Sequence, residues 1–249
     1  MLLSTQGLVL HTTKYGETSV ITKVFTRQLG VETYIVKGVR SPKGRTKQNM
    51  LQPLSHLDMT VYNNPKKEMQ YIKEMRPASQ YNSIAGNGSK MAMLFFIDEL
   101  LYKSLKENEP NTPLFDYIAL KLKELNEASP HQMASMPIDI MIDTASHLGI
   151  APMDNYSVGE PLFNLKEGRF LSPPSAFAVA TDPNTSYFLD ASASNNLHRC
   201  LSSSRQPADN ALNAKQRSET LNHLLEYYHI HLSDFHNFKS HEVLHSVLR

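Results

Sequence analysis

The stretch SVITKVFTRQLGVETYIV, residues 19–36, decides how the first part of the chain folds. It contains two runs rich in β-branched and aromatic residues, 19–26 and 31–36, which are separated by a short segment ending in Gly30. The second run alternates cleanly between two faces. Such runs, bounded by glycine, are typical of β-strands. The stretch therefore predicts a β-hairpin.

Three further runs of the same kind surround this hairpin, at residues 8–12, 57–62 and 69–72, and Pro77 ends the series. Five short strands within about 75 residues suit a closed barrel better than an open sheet, because closure leaves no strand edge exposed. We therefore predict a small β-barrel domain over residues 1–80.

Residues 81–249 have a different pattern, since their apolar side chains recur at spacings of three and four. That spacing predicts an α-helical domain. An insertion at about 150–180, rich in Pro, Gly and Ser, interrupts it and contains a possible hairpin through 162–165 and 169–171. The predicted fold class is α+β with more than one domain: a barrel, then helices with a small irregular or β insertion.

Positive charge is concentrated in the predicted barrel. The whole chain has a formal net charge of +1, but residues 1–80 hold 12 Lys and Arg against 5 Asp and Glu, which gives +7. The remainder carries −6. Domains of opposite charge predict different partners, and the basic one is expected to face a polyanion such as nucleic acid.

Several classes of protein are not expected. Cys200 is the single cysteine, so an internal disulfide and any site built from paired cysteines are ruled out. No long apolar run or export leader is visible, which predicts a cytoplasmic protein without membrane contact. Neither a nucleophile elbow nor a dinucleotide fingerprint occurs, so we expect no catalytic residues and no cofactor.

The segment 37–47 is the most informative candidate site, because it has five positive charges and no acidic residue. Flexible Lys and Arg side chains beside glycines are suited to phosphate binding. The spacing from Gly38 to Gly44 is one residue too long for a P-loop. A solvated hairpin loop is the alternative. The predicted nucleic-acid contacts are Lys14, Lys37, Arg40, Lys43, Arg45 and Lys47.

Binding of single strands also requires aromatic rings on which bases stack. Phe25 is expected in the core, whereas Tyr15, in a predicted turn, and Tyr34, in phase with Val36, are the predicted stacking residues.

Near the chain end, His241 and His245 have a spacing that could place two metal ligands on one helix face. No third ligand follows at a fixed spacing, so we predict no metal site.

Several motifs together resemble the RecO family of bacterial recombination mediators. They occur in the family's order along the predicted barrel: Gly7-Leu8-Val9-Leu10, Tyr15-Gly16-Glu17-Thr18-Ser19, Val24-Phe25-Thr26, Val36-Lys37-Gly38-Val39-Arg40 and Leu51-Gln52-Pro53-Leu54. Further agreement, less specific, follows in the helical part, for example at Leu148-Gly149-Ile150-Ala151-Pro152.

The resemblance implies an OB-fold joined to a helical domain. It also implies a DNA repair and recombination mediator, associated with the nucleoid, that binds single- and double-stranded DNA and anneals complementary strands. Its implied partners are RecR, with which it loads RecA, and the acidic, Phe-ended tail of single-strand-binding protein. Many relatives have a four-cysteine zinc site, but residues 152–175 contain no cysteine. Packing of Tyr156, Phe163 and Phe170 is expected to replace the metal.

A second hypothesis makes the protein an interaction adaptor. Its acidic helical domain would hold an acidic peptide tail in a hydrophobic groove, and the barrel would be a scaffold. The predicted rim of that groove consists of Lys103, Lys121 and Lys123.

Overall fold

A computed structural model describes residues 1–42, 44–64, 66–175, 178, 182–203 and 212–247. The chain divides into two compact units, Met1–Ala128 and Ser129–Arg249. The predicted boundary at residue 80 falls in the first unit, between its last strand and the helix that follows. No helix in the described ranges combines the length and the apolar character needed to cross a membrane.

A closed barrel of five strands forms the first part of unit 1 and confirms the predicted barrel. Its strands are β1 Leu2–Tyr15, β2 Ser19–Thr26, β3 Gly30–Val36, β4 His56–Tyr62 and β5 Gln70–Pro77. Their order around the barrel is β1-β2-β3-β5-β4, and antiparallel pairing of β1 with β4 closes it. The parallel contact of β3 with β5 and a short helix α1, Arg45–Met50, between β3 and β4 complete an OB-fold.

The hairpin of β2 and β3 forms because its turn residues match the turn geometry. Gly30 has a φ of +75°, a left-handed conformation that favours glycine. The hydroxyl of Thr26 donates to the Gly30 carbonyl at 2.9 Å and accepts from the Leu29 N–H at 3.0 Å. Inside the barrel, Val24 packs in one apolar cluster with side chains from the other strands, among them Leu57.

Three helices complete unit 1. They are α2 Asn82–Ala85, α3 Gly88–Ser104 and α4 Thr112–Glu127. The rings of Phe25 and Phe115 pack edge to face at 5.5 Å between centroids, which joins β2 to α4. A bidentate ion pair from Arg27 to Asp116, at 2.7 and 2.8 Å, lies beside this contact.

Unit 2 is helical with a small hairpin, as predicted. Its helices are α5 Pro130–Met133, α6 Met136–His147, α7 Ala191–Ser203, α8 Ala214–His231 and α9 Ser240–Val247. The hairpin consists of β6 Leu162–Asn164 and β7 Arg169–Leu171, and a 3₁₀ turn, Pro183–Tyr187, precedes α7. The fully buried Tyr228 donates its hydroxyl to the Met141 carbonyl at 2.7 Å, which ties α8 to α6.

Aromatic packing holds the insertion together, as expected from its lack of cysteine. Phe170 packs edge to face against Phe163 at 5.0 Å and against Tyr156 at 5.4 Å. The Tyr156 ring also stacks on His198 at 4.3 Å, and Asp154 pairs with that imidazole at 2.7 Å. Hydrogen bonds and ring contacts thus fix this segment without a cysteine.

Candidate nucleic-acid interface

The basic segment between β3 and α1 is a tightly folded turn. Gly38 has a φ of +72°, and its carbonyl accepts from the Ser41 hydroxyl at 2.8 Å. The Arg40 N–H donates to the Thr18 carbonyl at 3.0 Å, so the turn is fastened to the β1–β2 loop. The backbone of the turn is therefore fixed by its own hydrogen bonds.

The structure places most of the predicted basic residues on the surface. Five of them are exposed. They are Lys14 at the end of β1, Lys37 and Arg40 in the turn, and Arg45 and Lys47 on α1. Lys43 lies outside the described residues. The Arg40 guanidinium donates to the Gly16 carbonyl at 2.9 Å, which draws it toward β1.

One of these cations, Lys37, lies beside an exposed tyrosine. A pocket joins it to three further residues in a tyrosine–lysine cluster, which consists of Lys37, Lys47, Tyr62 and Tyr71. Tyr62 and Tyr71 are direct partners in the β4–β5 register and remain 48% and 36% exposed. The Lys37 ammonium lies 5.4 Å from the centre of the Tyr71 ring, and the Lys47 ammonium donates to the Lys37 carbonyl at 3.4 Å. The four residues line an open pocket of about 350 Å³.

The fold explains why this cluster forms. Tyr62 is the last residue of β4, and Tyr71 is the second residue of β5, so a short loop returns them to the same end of the pair. The parallel contact of β3 with β5 pairs Ile35 with Tyr71, which places Lys37, just beyond β3, against the same ring. Sequence reasoning did not select Tyr62 and Tyr71, although both flank a loop that contains two adjacent lysines.

The prediction that Tyr34 stacks on bases is wrong. Its side chain is fully buried in the barrel core together with Val36. The hydroxyl has no hydrogen-bond partner among the described residues, and burial, with a smaller contribution from Glu32, raises the pKa of the phenol well above its ordinary value. Tyr34 and Val36 do share a face, as predicted, but that face is the inside of the barrel. Tyr15 is 47% exposed and thus accessible.

A second recess, the β1 crevice, is also lined by residues of the basic turn. It measures about 490 Å³ and lies between β1, the basic turn, α1 and α3. Its polar and charged lining includes Lys14, Arg40, Gln48 and Asp98, and the ring of Phe95 adds an apolar wall. Lys14 and Arg40 are predicted phosphate contacts, so this crevice and the tyrosine–lysine cluster flank one basic segment.

The three lysines of the alternative hypothesis lie on two helices. Lys103, on α3, lies 3.9 Å from Glu99. Lys121, on α4, is paired with Glu124 at 2.8 Å and contacts the ring of Tyr117. Lys123 is exposed. An acidic peptide would therefore have to replace two existing ion pairs.

The terminal histidines do not form a metal site with a third ligand in the described part of the chain. The rings of His241 and His245 are 5.9 Å apart, and His245 shares a hydrogen bond with Ser218 at 3.1 Å. No group of three or more His, Cys, Asp or Glu residues in the described ranges is arranged to hold a metal ion.

The fold and the site define an OB-fold protein with a helical C-terminal part and a basic, aromatic surface on its barrel. The family model for the N-terminal part of recombination protein O matches residues 1–81, and the model for its C-terminal part matches residues 85–241. The chain belongs to the recombination protein O family.

Named relatives cover the chain from end to end. The DNA repair protein RecO of Flavobacterium psychrophilum is 30% identical over 251 residues, which is 99% of both chains. The proteins of the same name from Christiangramia forsetii and Bacteroides fragilis are each 29% identical, over 99% and 98% of both chains. The similarity therefore includes barrel, helices and insertion.

Proposed function

We propose that this protein is a DNA repair and recombination mediator that binds single- and double-stranded DNA through its barrel and catalyses no reaction. The observation that carries the proposal is the tyrosine–lysine cluster on a barrel of net charge +7. The names of its relatives, which are DNA repair proteins, support the same role.

The cluster combines the two interactions that a single strand requires. Exposed tyrosines stack on bases of any sequence, with about 1–3 kcal/mol per base, and lysines neutralise phosphates. Stacking uses the faces of the bases and leaves their pairing edges accessible to a second strand. This arrangement supports strand annealing. A duplex offers its phosphates but not its base faces, so it would bind through the lysines alone.

The remaining parts of the proposal follow from family membership. The protein would act in the cytoplasm, near the nucleoid, together with RecR in loading RecA. Contact with the acidic tail of single-strand-binding protein would bring it to exposed single strands. These partners are expected to use surfaces other than the tyrosine–lysine cluster, since the cluster would be occupied by DNA.

Paired substitutions test the binding site. Tyr62→Ala with Tyr71→Ala is expected to weaken binding of a (dT)15 strand about ten-fold or more, because two stacking surfaces are lost. Binding of a duplex of equal length should change far less. Lys215→Ala is the matched control, since Lys215 is exposed on α8 in unit 2. Equal losses for strand and duplex, or no loss, would contradict the role of the two rings.

One observation favours the adaptor function as a second candidate. On α4 the apolar Leu120 is 52% exposed. Lys123, three residues further along the helix, lies on the same face, and Lys121 follows Leu120 in the sequence. An apolar side chain next to cations is suited to an acidic peptide that ends in an aromatic residue. Calorimetry with such a peptide should give measurable heat that Lys121→Ala with Lys123→Ala removes. The same titration with Lys215→Ala should match the unaltered protein.

A further inference from the structure

Asp98 is an acidic residue in a position that the rest of the unit does not explain. It lies in the middle of α3 and lines the β1 crevice. Its Oδ1 atom is shielded from water and has no hydrogen-bond partner among the described residues. A buried carboxyl oxygen without a hydrogen-bond partner is costly, so native structures seldom keep one without a functional reason.

The side chains around Asp98 indicate which kind of ligand could donate hydrogen bonds to its carboxyl group. Lys14 and Arg40 line the same crevice and are suited to the phosphates of a nucleic acid. Phe95, one turn of α3 before Asp98, is 44% exposed and offers a ring face for stacking. A volume of about 490 Å³ lies in the range of small-ligand pockets and can accept one unstacked base.

An ionised carboxylate has only acceptors, so it selects a base by its N–H groups. Guanine is the base whose pairing edge offers two neighbouring donors, N1–H and the N2 amino group. Thymine offers a single N–H between two carbonyls, which would face the carboxylate unfavourably. We propose that the β1 crevice holds a guanine of a bound single strand. The Asp98 carboxylate would turn so that Oδ1, which is shielded from water in this structure, faces the crevice, and its two oxygens would accept hydrogen bonds from N1–H and N2–H.

This proposal rests on the proposed function and adds base preference to it. The tyrosine–lysine cluster binds bases irrespective of sequence, whereas the β1 crevice reads one base. Burial raises the pKa of Asp98 to about 8, so the carboxylate form that guanine requires is well populated only in mildly alkaline buffer. Binding is therefore best measured at pH 8.5.

Three oligonucleotides test the preference with the full chain: (dT)15, the same strand with three separated guanines, and that strand with inosine at the same positions. Inosine lacks only the N2 amino group. The unaltered protein is expected to bind the guanine strand at least about five-fold more tightly than the other two, since a bidentate contact to a base has that magnitude. Equal affinity for guanine and inosine would overturn the proposal.

Two variants complete the test. Asp98→Asn and Phe95→Ala should each abolish the preference for guanine, and Asp98→Asn should leave the affinity for (dT)15 within about two-fold. Phe95→Ala alters an exposed ring, so it keeps the test valid if the substitution at Asp98 disturbs folding. A guanine preference that survives both substitutions refutes the role of the crevice. Normal binding of (dT)15 without any guanine preference contradicts this inference alone, whereas absence of (dT)15 binding contradicts the proposed function.

Discussion

At the scale of single residues, Asp98 has the most perturbed acid–base equilibrium among the carboxyl groups described. Desolvation, and to a lesser extent the charge of Glu99, raises its pKa from 3.8 to about 8. In the folded protein Asp98 thus keeps its proton up to about pH 8, whereas in the unfolded chain it loses the proton near pH 4. Between these values the folded state binds more protons, so the stability falls as the pH rises.

Replacing Asp98 with Asn should remove this pH dependence. The free energy of unfolding of the unaltered protein should decrease, relative to that of Asp98→Asn, by up to about 1.4 kcal/mol per pH unit between pH 5 and pH 8. Urea unfolding of both proteins at each pH measures the difference and cancels the contributions of other groups. Parallel stability curves would show that Asp98 is ionised at an ordinary pKa.

At the scale of secondary-structure elements, the β2–β3 turn depends on Gly30. Its backbone has a φ of +75°, which a residue with a side chain rarely adopts. A Cβ atom at this position would also lie 2.5 Å from the backbone carbonyl oxygen of Glu109. Gly16 has a similar φ of +60°, but a side chain there would meet nothing within 4 Å. The two glycines therefore separate the cost of the conformation from the cost of a steric clash.

Gly30→Ala should lower the free energy of unfolding by more than about 3 kcal/mol, because conformational strain and backbone displacement add. Gly16→Ala should cost about 1 kcal/mol, since only the left-handed conformation is penalised. Chemical denaturation of the two variants side by side is the measurement. Similar losses in both would mean that the contact with Glu109 contributes nothing.

The insertion of unit 2 offers a second prediction at this scale. Phe170 is fully buried between two aromatic rings, and Phe170→Ala should cost about 3–5 kcal/mol of stability. Val158, in the same insertion and 99% exposed, provides the control substitution to Ala, with little expected effect.

A chelator should leave the melting temperature of the unaltered protein unchanged. A drop on chelation would reveal a metal that aromatic packing does not replace.

The sequence predicts elements better than it predicts which side of an element is buried. Alternation placed Tyr34 and Val36 on one face correctly, but local alternation does not say which face of a barrel strand points inward. Tyr62 and Tyr71 escaped selection because their partnership depends on strand pairing, and Lys37 reaches Tyr71 only through the contact of β3 with β5. The burial of Asp98 likewise depends on the packing of α3 in unit 1.

At the scale of the whole molecule, charge is divided so that the barrel can attract a polyanion. The basic turn and α1 contribute cations to both recesses: Lys37 and Lys47 line the tyrosine–lysine cluster, and Arg40 lines the β1 crevice. Phosphate contacts release counterions and therefore depend on salt, whereas stacking does not. The two kinds of contact can thus be distinguished by the slope of affinity against salt.

The most direct test of the central claim is a salt titration of the affinity for a (dT)15 strand. Lys37→Ala with Lys47→Ala should make the slope of log K against log salt shallower by about 1.4, since each phosphate contact to a single strand contributes about 0.7. Tyr62→Ala with Tyr71→Ala should lower the affinity at every salt concentration and keep the slope. Unchanged slope and affinity in both double variants would contradict the assignment of DNA binding to this cluster.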